Sequence, residues 1–140
     1  MKNRAILSLM EQTVMILVFA LAAALCLRGF VLADTQSRDY ADRDRALLHL
    51  QNAAETLKAC GGDYTAAAAL CGGSWDGTVW VIGYDEAWAE CEDSPVFRLE
   101  VRPAVQETEF LGGAALQVKG RDGVLLTQLE VRWQEVGSHE

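Results

Sequence analysis

From Ala5 to Ala33 the chain carries only two charged side chains, Glu11 and Arg28, and this scarcity of charge constrains everything that follows. Its centre is the run QTVMILVFALAAALCL, Gln12 to Leu27. As a helix these residues reach about 24 Å, short of a hydrocarbon core of roughly 30 Å. Residues 28 to 33 complete a span, with Arg28 placed to snorkel toward the far interface. Lys2 and Arg4 precede the apolar stretch and predict a cytoplasmic N-terminus, which leaves the rest of the chain outside. Two simpler arrangements share these features. One is a plain single-pass anchor. The other is a cleaved signal peptide, with Val31-Leu32-Ala33 before Asp34 as its small-residue site. Glu11 ahead of the apolar core and Arg28 beside the site both count against cleavage there.

A carboxylate flanked by apolar residues is costly in lipid and calls for a named partner. Glu11 sits in the sequence Leu7-Ser8-Leu9-Met10-Glu11, followed after Gln12 by TVMILVFALAAALCL. This stretch resembles the N-terminus of type IV pilins and pseudopilins. It is most similar to divergent pilin-like proteins of Gram-positive anaerobes, with their L-M-E start and a cysteine late in the apolar run, as Cys26 is here. The resemblance implies that a prepilin peptidase removes a basic leader, residues 1–6, and makes Leu7 the mature N-terminus. It further implies that the Leu7 amine neutralises Glu11 of a neighbouring subunit inside a filament. Residues 7–33 would then form the transmembrane and filament-core helix. Two positions depart from the family pattern: Ile6 stands where glycine is expected, and Arg28 stands where a helix-kinking proline is common. The second departure predicts a straighter helix.

The expected role is therefore structural: a non-enzymatic subunit of a type IV pilus-like or type II secretion-like surface filament. Its partners would be membrane lipid and copies of itself or of other pilin-like subunits. It would sit in the cell membrane by a single pass, with the C-terminal domain extracytoplasmic. The alternative is a monomeric single-pass protein whose outer domain binds a partner or ligand.

Residues 34–60 are polar, free of proline and glycine, and spaced as an amphipathic stalk helix. Tyr40, Leu47, Leu50, Ala54 and Leu57 make its predicted apolar stripe. Asp34–Arg38, Asp39–Arg43 and Arg38–Asp42 are spaced for ion pairs one turn apart. With the anchor this predicts a helix of about 47 residues, roughly 70 Å long, stopped by Gly61-Gly62. Residues 61–140 read as an antiparallel β-domain. Tyr64–Cys71 is a short helix or turn, and strands are expected over Thr78–Tyr84, Val96–Val101, Ala115–Lys119 and Val124–Trp133. Phe110-Leu111 is a candidate start for the third strand. Gly120-Arg121-Asp122-Gly123 is the hairpin turn between the last two. The fold class is α+β: one long N-terminal helix on a sheet of about four strands.

Residues 34–140 hold 9 Lys and Arg against 19 Asp and Glu, a balance that repels nucleic acid and anionic headgroups. No nucleic-acid partner is expected. Three cysteines, Cys60, Cys71 and Cys91, fall in the exported part, so one disulfide is expected with three pairings open. Cys60–Cys71 is preferred, because the segment between them is short and begins with two glycines. No nucleophile–base pair, phosphate loop or metal-ligand spacing is present, so no catalytic residue, cofactor or metal is assigned. His49 reads as a stalk residue and His139 as part of the tail. The glycine pairs 61–62, 72–73 and 112–113 read as turns. The loop Asp85–Asp93 holds five carboxylates but matches no EF-hand spacing, and reads as a solvated loop. Trp80 and Trp133 are expected in the core; Trp75 and Trp88 are the candidates for exposed partner contacts.

Overall fold

A helix without proline, and with one glycine in its interior, has no internal reason to stop until Gly61. The computed structural model, which describes residues 2–104 and 111–134, accordingly has a single helix α1 over Lys2–Ala59. It begins within the basic leader, so residues 2–6 continue the helix. Gly29, its interior glycine, has open space around it. The chain divides into two units, Met1–Tyr40 and Ala41–Glu140.

In the first unit the side-chain interactions are local. Thr13 and Thr35 donate their hydroxyls to the carbonyls of Leu9 and Val31, at 2.8 and 2.9 Å, one turn back. Asp34 and Arg38 form the expected ion pair at 3.2 Å. Both ends of that pair are exposed, so it contributes a few tenths of a kcal/mol.

The second unit starts with the last third of α1. Gly61 and Gly62, both with positive φ, turn the chain out of the helix. The Gly62 amide donates to the Leu57 carbonyl at 3.0 Å, closing the helix end. Asp63 caps the short helix α2, Tyr64–Cys71, by accepting from the amides of Thr65 and Ala66. Five strands follow: β1 Ser74–Trp75, β2 Trp80–Tyr84, β3 Phe97–Pro103, β4 Leu111–Lys119 and β5 Leu125–Gln134. They form one antiparallel meander in the order β1-β2-β3-β4-β5. The strand number is five rather than four. The extra strand is a two-residue edge pair, Ser74 with Val81 and Trp75 with Trp80, too short to leave an alternating pattern. The β4–β5 hairpin turns at Gly120–Gly123 as expected, with a register shift beside Val118 and Lys119. Phe110 and His139 lie outside the described residues.

The register decides which face is buried. Trp80, Ile82 and Tyr84 on β2 lie opposite Val101, Leu99 and Phe97 on β3. Ala114, Leu116 and Val118 on β4 continue the same face, and Val131 on β5 closes it. Ala46, Leu50, Ala53, Ala54 and Leu57 of α1 complete this core. Their spacing keeps them on one side of a 3.6-residue helix. Tyr40 and Leu47, assigned to the stripe from sequence, are 62% and 38% exposed. Each lies about a quarter turn from the centre of the buried row. Alanines take their place and let the helix approach the sheet closely.

Gly112-Gly113 is a further correction. The pair lies inside β4, not in a turn. Gly112 faces Trp133 across the β4–β5 register, and a Cβ there would collide with the indole ring. The glycine is needed because a flat aromatic side chain rests on the backbone.

Candidate functional site

The candidate site in the first unit is the apolar face of α1 with its two charges. Phe19 is 77% exposed, and Met15, Ile16, Leu25 and Phe30 are comparably bare. Residues 5 to 33 are all exposed. An apolar surface this extensive is characteristic of contact with lipid or with another protein. The helix is long and apolar enough to cross a membrane.

Leu7 and Glu11 are one turn apart on this helix and both exposed. Among the described residues Glu11 has neither hydrogen-bond nor ion-pair partner, and the same holds for Arg28. The two charges are 17 residues apart, about 25 Å along the axis. They cannot satisfy each other within one copy.

The second unit contains the other residues singled out from sequence. Trp88 is buried, which corrects its assignment as an exposed contact. Its ring stacks on Phe97 at 4.2 Å and on His49 at 5.3 Å between centroids. The indole N–H donates to Asp42 at 3.3 Å. Asp42 thereby takes a tryptophan as its partner, in place of the Arg38 expected from spacing. The acidic loop achieves this by folding inward. Asp85 accepts from the amides of Ala87 and Ala89, and Trp88 adopts φ 62° between them. Sequence reasoning took loop position as exposure; the available signal was Asp85 with small residues two and four places on, an Asx-turn pattern.

Trp75 is half-buried and stacks on Tyr64 at 4.5 Å. Trp80 is fully buried and donates its indole N–H to the Gly72 carbonyl at 2.9 Å. Trp133 packs at the edge of the core, with its indole N–H buried and unpaired among the described residues. His49, read as a plain stalk residue, also lies against Tyr84, at 4.4 Å. Burial holds its pKa below the ordinary value, so the ring is neutral at physiological pH.

The loop carboxylates have separate employments. Glu90 accepts from the Gly73 amide at 2.7 Å, and Glu86 pairs with Arg121 at 3.6 Å. Among the described residues no group of acidic, histidine and cysteine side chains is placed to hold a metal ion.

All four cysteines, Cys26, Cys60, Cys71 and Cys91, are free thiols here. Burial pushes the Cys71 thiol up, and nearby Glu90 adds to the effect, so it is not an activated nucleophile. Burial likewise pushes the Tyr84 phenol up to about 12, with Cys71 and Glu90 adding to the shift.

The outer face of the sheet is polar, with one buried charge at its centre. Glu100 accepts from Gln117 at 2.8 Å, Lys119 at 3.2 Å and Arg102 at 3.3 Å. Burial alone would raise its pKa. The hydrogen bonds from Gln117 and Lys119, with the cations Lys119 and Arg102, outweigh that and hold it low. This cluster gathers its three donors on one carboxylate oxygen, Oε2, and ties β3 to β4.

Comparison of the chain with protein-family models, with curated proteins and with solved structures finds no match.

Proposed function

We propose that this chain is a structural subunit of a surface filament of the type IV pilus or type II secretion kind, held in the cell membrane until assembly. The observation that carries the reading is the bare apolar helix. Residues 5–33 expose a largely apolar surface, set with one carboxylate that has no partner among the described residues. Packing such helices together buries that surface, and a cation from a neighbour offsets the cost of burying Glu11. In the arrangement that the resemblance implies, the cation is the amine of Leu7 after removal of residues 1–6. The outer unit is displayed and performs no chemistry.

The alternative, a monomeric anchor with a binding domain, relied on Trp75 and Trp88 as exposed contacts. Both are engaged with the domain's own aromatics, and Trp88 is buried.

The test is Glu11→Ala in the full-length protein. The expected outcome is an intact outer domain, by tryptophan fluorescence, and loss of the protein from filaments sheared off the cell surface. Unchanged incorporation would overturn the charge-pair account. A terminal peptide beginning at Leu7 in the assembled protein would establish leader removal; one beginning at Met1 would exclude the Leu7 amine as the partner of Glu11.

A further inference from the structure

We propose that the outer unit carries a site for a small phosphate-bearing ligand, in a cleft formed by strands β3 and β4 and the β4–β5 turn. The cleft holds about 320 Å³, and its lining includes Pro95, Val96, Arg98, Glu100, Lys119 and Arg121. That volume falls at the lower end of the range for small-molecule sites. The site is independent of whether the chain assembles into filaments. Charge distribution, strand register and the engagement of three cations carry it.

Residues 61–140 contain five lysines and arginines against fourteen aspartates and glutamates. Three of those five, Arg98, Lys119 and Arg121, meet in this one cleft. Gathered there they make a local positive field within a negative surround. The surround repels extended polyanions such as nucleic acid and anionic membrane, so the field suits a small anion.

The β3–β4 register sets Arg98 directly opposite Lys119, and on its other side Arg98 faces Gly83, which has no side chain to offer. Like charges directly opposed in an antiparallel pair destabilise it, and an anion between them relieves the repulsion. Among the described residues Arg98 has neither hydrogen bond nor ion pair. Arg121 reaches Glu86 at 3.6 Å, with both side chains largely exposed, a contact that contributes little and that a ligand can replace. Lys119 spends one of its three donors on Glu100, at 3.2 Å.

The charge left over sets the class of ligand. Glu100 is shared with Arg102 and cancels at most one of the three positive charges in the cleft. With the weak Glu86 contact set aside, two positive charges remain. A phosphate monoester carries about −1.5 to −2 at pH 7 and offers three acceptor oxygens on one centre. Two guanidinium forks and an ammonium can share those oxygens. A single carboxylate would leave one positive charge unmatched, and the opposed Arg98 and Lys119 call for a compact dianion.

Titration of the full-length chain in neutral detergent with inorganic phosphate, followed by phosphorus NMR line broadening, tests the site. The expected result is saturable binding with a dissociation constant of about 1 mM or below. Arg98→Gln and Arg121→Gln should each weaken it by about tenfold or more, since each removes a charge-assisted contact. Arg132→Gln removes a cation of the same sheet outside the cleft, and should change it by less than about twofold. Succinate, a dianion with its charges spread apart, should compete at no less than about tenfold higher concentration. Tryptophan fluorescence shows that the outer unit of each variant has folded. Absence of saturable binding, or a loss in Arg132→Gln equal to that in Arg98→Gln, would overturn the site. Succinate binding as tightly as phosphate would overturn the assignment of its ligand.

Discussion

The two ends of helix α1 solve the same problem in different ways. Residues 46–57 place Ala46, Leu50, Ala53, Ala54 and Leu57 against the sheet, and all five are buried within one chain. Residues 5–33 are at least as apolar, yet none of their side chains is covered. The difference lies in how the apolar residues are distributed. Toward the C-terminus they form a stripe with charges on the other side, which suits one packed face. Toward the N-terminus they cover the whole circumference, which suits lipid or a ring of neighbours. The same secondary structure thus serves folding at one end and, in the filament proposed above, association at the other.

Substitution at matched leucines breaks this comparison most sharply. Leu50→Ala should destabilise the outer unit by about 2–5 kcal/mol, the range for truncating a buried leucine. Leu17→Ala, in the exposed half, should leave the thermal unfolding of the outer unit unchanged in detergent. Equal effects of the two would mean that the apolar half supports the fold. At the far edge of the core, Gly112→Ala should cost about 1–3 kcal/mol, because the added methyl meets the Trp133 ring. Denaturant unfolding that stayed within error of the unaltered protein would show that Trp133 has room to move.

The smallest effect concerns pH. His49 is held neutral by burial, so its folded pKa lies below its unfolded one. As pH falls through the ordinary histidine range near 6.5, the unfolded state takes up a proton that the folded state refuses, and stability declines. His49→Phe should abolish that step in a melting-temperature profile. Glu100 acts at lower pH with its shift from the opposite kind of environment. Its pKa is depressed in the folded state, so its stabilisation is present above the unfolded carboxyl pKa and is lost as pH falls through the folded value. Glu100→Gln should flatten the profile in that acid range.

The parts of this structure legible in sequence were those with a period. The continuous helix, the stop at Gly61-Gly62, the β4–β5 hairpin and the half-buried alternation of β3 all follow from spacing and turn chemistry. The parts that were not legible depend on tertiary neighbours. Trp88 lies in an acidic loop and would be solvated there, but for the Asx turn of Asp85 that rotates it onto Phe97 and His49. Gly112-Gly113 looks like a turn until Trp133 is known to lie across it. Tyr40 and Leu47 are apolar enough for the core, and only the position of the sheet decides for Ala46 and Ala53 instead. The charges of the apolar half were visible at once, because a lone Glu11 and a lone Arg28 need no neighbour to be noticed.

The central claim is that the bare half of α1 is covered by other copies in a surface filament. Its most direct test is to shear filaments from intact cells, separate them from membranes, and identify the chain in each fraction by intact mass and terminal peptide sequence. The account predicts the chain in the sheared, high-mass fraction. Recovery solely from detergent-solubilised membrane, at the mass of a single chain, would contradict it.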